Sequence, residues 1–174
     1  MNEHGDKMTL EALARTRGLR FVGGVPLQLP PGEWDRFTSW LAAGKHGEMR
    51  YLERYQDVRE DPSKLLPGAT HLLIFGLPYS QGDKWPAPQS APRVAQYARL
   101  RDYHKHLKKE LDKLFEEFLG PSHQQFNHRV VVDSAPLLER ACAAGADAGF
   151  IGKNTCFIHP DWGSLLLLGE IVTD

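Results

Sequence analysis

Cysteine is scarce in this 174-residue chain, which has two, Cys142 and Cys156, outside any C-x-x-C spacing. Neither a disulfide framework nor a cysteine-ligated metal cluster can be built from this chain alone. An excess of one charge is missing too. Lysine and arginine number 21 against 22 aspartates and glutamates, a net charge of −1, so the chain has no general attraction to phosphate backbones or anionic membranes. A nucleic-acid role would need a local basic patch. The longest apolar stretch, around residues 165–168, is far short of the roughly 20 residues that cross a bilayer. With Glu3, Asp6 and no apolar segment between them, the N-terminus does not read as a secretory signal, and the cytoplasm is the expected compartment.

What is present is a globular composition, 41% hydrophobic and 25% charged, on a length that suits one core and one domain spanning residues 1–174. Leu10, Leu13 and Ala14 share a helical face over residues 9–17, stopped by Gly18. A strand is predicted over 20–25, and a helix over 33–43 in which Trp34, Phe37 and Leu41 recur at helical spacing. A further helix is predicted over 48–55, a loop at 59–62, and a doubly buried strand over the apolar run 71–77. Pro86, Pro88 and Pro92 with Gly82 make residues 81–92 the best loop or lid candidate. The longest predicted helix covers 93–119, carried by Tyr103, Leu107, Leu111, Leu114 and Phe118 and closed by Gly120-Pro121. A strand over 129–133, a helix over 137–144 opened by Pro136, and a pair formed by 156–159 with 165–171 complete an α/β or α+β alternation. The final apolar strand, with no turn or capping element between it and Asp174, is expected to be an unprotected terminal strand.

Several patterns fail on inspection. Gly152-Lys153 invites a phosphate-loop reading, but Asp147 stands where a glycine is needed and Asn154 where the hydroxyl belongs. No G-x-G-x-x-G follows a predicted strand. Gly149, Gly152, Lys153 and Asn154 still form a permissive turn with donors, suited to a polar or anionic cofactor rim, and equally to a plain tight turn with a solvated lysine. His104 and His106 are too close in sequence to chelate one ion from a helix, and His104 within a long helix reads as solvated rather than as a metal ligand. Arg93, Arg99, Arg101, Lys105, Lys108 and Lys109 make the long helix the most basic part of the chain, a solvated face with room for an RNA phosphate near Arg99 or Arg101. Asp133 closes an apolar strand where α/β folds place functional groups, yet residue types favour Asp133 or Ser134 as a helix cap. Arg140, in the first turn of the following helix, is unfavourable to the dipole and hints at a ligand or buried partner.

Taken in order, His46-Gly47-Glu48-Met49-Arg50-Tyr51-Leu52, Arg59-Glu60-Asp61-Pro62, Tyr97-Ala98-Arg99-Leu100-Arg101-Asp102-Tyr103-His104, Val132-Asp133-Ser134-Ala135-Pro136-Leu137-Leu138-Glu139-Arg140, Gly149-Phe150-Ile151-Gly152-Lys153-Asn154 and Gly163-Ser164 with Gly169-Glu170-Ile171-Val172-Thr173-Asp174 resemble the N-terminal domain of epoxyqueuosine reductases. The resemblance runs from about Leu10 to the last residue. It implies an α+β fold with a mixed sheet flanked by helices, similar to nitroreductases and to the corrinoid domain of reductive dehalogenases. It also implies a cobalamin-dependent reduction of epoxyqueuosine to queuosine at the tRNA wobble position, the last step of queuosine biosynthesis. In that family a segment holding two 4Fe-4S clusters and often helical repeats follow. Both are missing from these residues, so electrons would come from such a cluster domain or from a ferredoxin or flavodoxin. By the same resemblance Asp133 is the proton donor and Tyr103 lies beside the substrate. Arg59, Asp133, Arg140, Gly152, Lys153, Asn154, Phe157 and Leu168 border the corrin. The alternatives are a non-catalytic cobalamin carrier module and a flavin-dependent reductase on the same general fold.

Overall fold

Glycine ends the first helix where the sequence places it. α1 (Glu3–Thr16) gives way at Gly18, whose φ of 72° is the left-handed conformation that a helix terminus favours. β1 (Arg20–Pro26), α2 (Glu33–Ala42) and β2 (His71–Pro78) follow close to their predicted bounds. The computed structural model describes residues 3–79, 95–99, 102–120 and 125–174; the lid candidate at 81–92 and the basic residues Arg93 and Arg101 lie outside them.

The helix expected over 48–55 is a single 3-10 turn, Arg50–Glu53, followed by the short α3 (Gln56–Glu60). Tyr55, at φ 55°, breaks the path between them. α4 runs Tyr103–Leu119, and its start is set by Asp102, whose side chain accepts from the His104 N–H as an N-cap. Residues 103 and 104 therefore stand at a helix mouth, not inside a longer helix as expected. β3 (His128–Val131) is shorter than predicted, because residues 133–136 turn before α5 (Glu139–Gly145) begins. Neither Asp133 nor Ser134 caps that helix: its N-cap is Leu138, without a side-chain bond.

The main sheet has the order β1-β2-β6-β3, with β6 at Leu166–Thr173. An α+β fold is what the residues form, and where a mixed sheet was expected the three pairings of the main sheet are antiparallel. β6 is also no edge. It pairs with β2 along one side and β3 along the other, since its buried pattern suits a central strand. The segment expected to pair with it, β5 (Phe157–Ile158), instead forms a two-stranded ribbon with β4 (Phe150–Ile151). α1 and α4 pack on one face of the main sheet, and α5 on the other. No helix among the described residues is long and apolar enough to cross a membrane.

Candidate active site

The tight turn after β3 points a carboxylate at the mouth of α4. Asp133 has φ 53°, and the Ser134 N–H reaches the Val132 carbonyl at 2.5 Å, a three-residue turn around a left-handed non-glycine residue. The Asp133 N–H donates to Glu139 Oε1 at 2.7 Å, so the first residue of α5 fixes the turn. On its side chain, Oδ2 accepts from the Tyr103 hydroxyl at 2.9 Å and meets His104 Nε2 at 3.1 Å. His104 Nδ1 lies 3.0 Å from Asp102 Oδ1, and its ring stacks on Tyr103 with centroids 4.0 Å apart.

The electrostatics of these groups differ sharply. Burial and the Asp133 carboxylate both push the Tyr103 hydroxyl above the usual phenol value. His104 is raised, chiefly by its hydrogen bond to Asp133 and further by Asp102. Burial, aided by the Asp133 charge, lifts Glu139 to about 7. Behind it Glu170 is fully buried in β6, with neither carboxylate oxygen hydrogen-bonded among the described residues, and burial raises it well above the ordinary carboxyl range. Cys142 on α5 is pushed up to about 12 by the same desolvation, so its thiol is inert near neutrality.

Of these residues, Tyr103, Asp133 and Glu139 line a cavity of about 1010 Å³. Across it stands α2, which has no buried residue; Phe37 and Trp40 face the space, and Arg36 and Glu33 border it. The helical spacing noticed in the sequence therefore builds a cavity wall, not a core stripe. Arg59 is also on the wall and is buried, its guanidinium donating to the Leu52 and Arg54 carbonyls and lying 5.7 Å from the Phe37 ring centre. It makes no ion pair with a carboxylate among the described residues, and burial lowers its pKa. Arg140 lines the cavity and donates to the Thr155 carbonyl. Leu168 lines it from β6.

Of the predicted site residues, the structure thus brings Tyr103, Asp133, Arg59, Arg140 and Leu168 to one cavity. Gly152, Lys153 and Asn154 do not line it; they form the turn between Ile151 and Thr155, which do. A Cβ on Gly152 would meet Ile158 Cδ1 at 2.6 Å and Asn154 Oδ1 at 2.7 Å, and Asn154 Oδ1 accepts from the Cys156 N–H. Phe157 is buried beneath this turn, not on the wall. The sequence reading set His104 aside as solvated and gave Asp102, Glu139 and Glu170 no part in the site. Only the charge of Glu170 inside an apolar strand was a usable signal, because a buried acid without a partner is uncommon.

Large volume, an aromatic and aliphatic lining and convergent arginines suit a large, flat cofactor with polar arms. Cobalamin, a corrin disc fringed by amides and carrying a phosphate, fits that donor set and size.

Residues 59–134 match the family model described as Epoxyqueuosine reductase QueG, DUF1730. The chain is 40% identical over 173 residues to the epoxyqueuosine reductase of Xanthomonas campestris pv. campestris, an alignment taking in 95% of this chain and 47% of that protein. Against the Pseudomonas aeruginosa epoxyqueuosine reductase it is 41% identical over 169 residues, 92% of this chain and 45% of the other. A crystal structure of epoxyqueuosine reductase with a tRNA-Tyr epoxyqueuosine-modified stem loop superposes with a TM-score of 0.78 at 27% identity, over 99% of this chain and 46% of that one. The Bacillus subtilis epoxyqueuosine reductase, solved with an aspartate catalytic loop swung out of the active site, superposes at 0.74 with 26% identity, over 99% of this chain and 46% of that one. This chain spans about half the length of these relatives.

Proposed function

We propose that the chain belongs to the epoxyqueuosine reductase family over the half of those proteins that it spans, and that it carries the cofactor- and substrate-side chemistry of reducing epoxyqueuosine to queuosine in tRNA, in the cytoplasm. The observation that carries this reading is the Asp133 carboxylate, held by Tyr103 and His104 on the wall of a cavity large enough for a corrin. Bound there, cobalamin would supply electrons at low potential to the epoxide carbon. Electrons would reach it from an iron–sulfur domain, a ferredoxin or a flavodoxin.

The residues of this chain have the complementary tasks. Arg59 and Arg140 offer charge and donors to the cofactor's polar arms, and Leu168 with Phe37 and Trp40 gives its flat faces an apolar seat. Gly152, Lys153 and Asn154 hold the turn whose flanks border that seat, with Phe157 packed below. Asp133 stands where a proton is needed as the epoxide oxygen leaves. Tyr103, with its hydroxyl kept protonated, orients the carboxylate and the substrate. An aspartate on a movable loop in the Bacillus subtilis relative agrees with a turn here whose Asp133 N–H donates to Glu139 Oε1.

Titrating the purified chain with cobalamin and, separately, with flavin mononucleotide tests the cofactor; a spectral change with cobalamin alone is expected, and the reverse result would install the flavin reductase reading. The chemistry is tested in the cobalamin-loaded chain with a low-potential chemical reductant and epoxyqueuosine-modified stem loop. Asp133→Asn should slow turnover by about 10²–10⁴-fold while leaving cobalamin binding within a small factor. Binding without any turnover in the unaltered chain would favour the carrier module.

A further inference from the structure

Beyond holding the Asp133 carboxylate His104 has no task in the reading above, yet both of its ring nitrogens are engaged. Its Nε2 lies 3.1 Å from Asp133 Oδ2 and its Nδ1 3.0 Å from Asp102 Oδ1, so each ring nitrogen faces a carboxylate oxygen. A neutral imidazole has one N–H and can donate to only one of them; the imidazolium donates to both. The ring is also fixed in place. It stacks on Tyr103, and the Asp102 oxygen that meets Nδ1 also accepts the His104 backbone N–H.

The need for such a group comes from elementary acid–base chemistry. An ordinary carboxyl group is ionised at neutral pH, whereas a general acid must hold a proton when the leaving oxygen needs it. Tyr103 donates to the same Oδ2, but its hydroxyl is held above the usual phenol range and gives up its proton less readily. Glu139 meets Asp133 at the backbone N–H, not at the carboxylate. Among the described residues His104 is the remaining neighbour on Oδ2, and its side chain is 44% exposed, so water can recharge it.

Resting on the functional reading above, we propose that His104 supplies the protons that Asp133 delivers to the substrate, with Asp102 positioning the ring. Converting an epoxide to an alkene and water takes two electrons and two protons. A low-potential electron donor supplies the electrons. For each proton the Nε2–H bond breaks as an O–H bond forms on Asp133 Oδ2. That proton then passes to the substrate oxygen as a C–O bond breaks, and solvent water reprotonates the neutral imidazole. Among the described residues, the charged and titratable groups facing the ring are Asp102, Asp133 and Tyr103, with Glu139 across from α5 and Lys105 at 3.9 Å from the other Asp102 oxygen.

A nitrogen-detected NMR titration of the histidine rings tests the arrangement in the chain without cofactor. The expected result is a His104 midpoint above that of a free histidine, falling towards it in Asp133→Asn and in Asp102→Asn. A midpoint at or below the free value, or one that neither variant moves, overturns the proposal. In the cobalamin-loaded, chemically reduced chain, the alkaline limb of the pH–rate profile should follow that midpoint. His104→Gln should slow turnover by about 10–10²-fold and flatten the limb, and imidazole should restore part of the rate of His104→Ala. An unchanged limb in His104→Gln, with Asp133→Asn still slow, overturns the relay alone. Normal turnover in Asp133→Asn strikes the functional reading as well.

Discussion

The two faces of the main sheet have opposite interiors. On one, Leu107, Leu111, Leu114 and Phe115 of α4 meet Phe21, Phe75, Val130 and Ile171 with Leu10 and Ala14 of α1. On the other, α5 covers Val22, Ile74, Val131 and Val172, but the same face buries Glu170 without a hydrogen-bond partner among the described residues, and Glu139 and Cys142 pack beside it. An apolar face gains from every buried methylene, whereas a buried acid costs free energy unless it is neutral or paired. Both faces hold the fold, but among the described residues only the α5 face buries an acid without a partner, behind the turn that carries Asp133 to Tyr103 and His104 at the mouth of α4.

Substitutions on each side should separate these roles. The largest effect belongs to the apolar face. Leu111 has no exposure, and Leu111→Ala should cost about 2–5 kcal/mol in denaturant unfolding while leaving cobalamin affinity within a small factor. A loss of affinity in a variant that remains folded would break the division between the faces.

Next comes Glu139→Gln, which keeps an oxygen to accept the Asp133 N–H but cannot ionise. The folded carboxyl titrates near 7 against an ordinary 4.5. Because the folded value is raised, the stability that the neutral acid contributes is fully present below pH 4.5 and is lost as pH rises to about 7. The variant should therefore gain on the parent across that window, by no more than about 3 kcal/mol, in unfolding curves taken at each pH. A pH-independent difference would show that Glu139 is not held neutral by its surroundings.

Gly169→Ala sharpens the view of the apolar face from the strand side. A Cβ there would lie 2.9 Å from Leu107 Cδ2 and 3.0 Å from Leu111 Cδ1, so overpacking should cost about 1–3 kcal/mol. Thermal unfolding checks it, and an unchanged melting point would mean that α4 shifts freely. The smallest effect is that of Asp102→Ala at the mouth of α4, about 1 kcal/mol for the lost cap. Asn at the same position should recover most of that stability.

The sequence by itself determined the elements whose signals are local. Gly18 stops α1, Leu107, Leu111 and Leu114 repeat at helical spacing in α4, and the apolar run 71–77 makes β2, because backbone geometry and side-chain periodicity act within one or two turns. Motif order also singled out Asp133, Tyr103, Arg59 and Arg140, which the fold gathers at one cavity, although residue types alone made Asp133 a cap. Tertiary structure decided what depends on distant partners. β6 became central because β2 and β3 reach it from 95 residues and 38 residues earlier at their first residues, His71 and His128 against Leu166. The aromatic face of α2 became a cavity wall because the opposite side of that space is built by α5 and the turn before it. His104 met Asp133 across 29 positions, and Glu170 was stripped of water by α5 on one face of its own strand. Hydrogen-bond partnership and desolvation are properties of the assembled neighbourhood, and no window of sequence contains them.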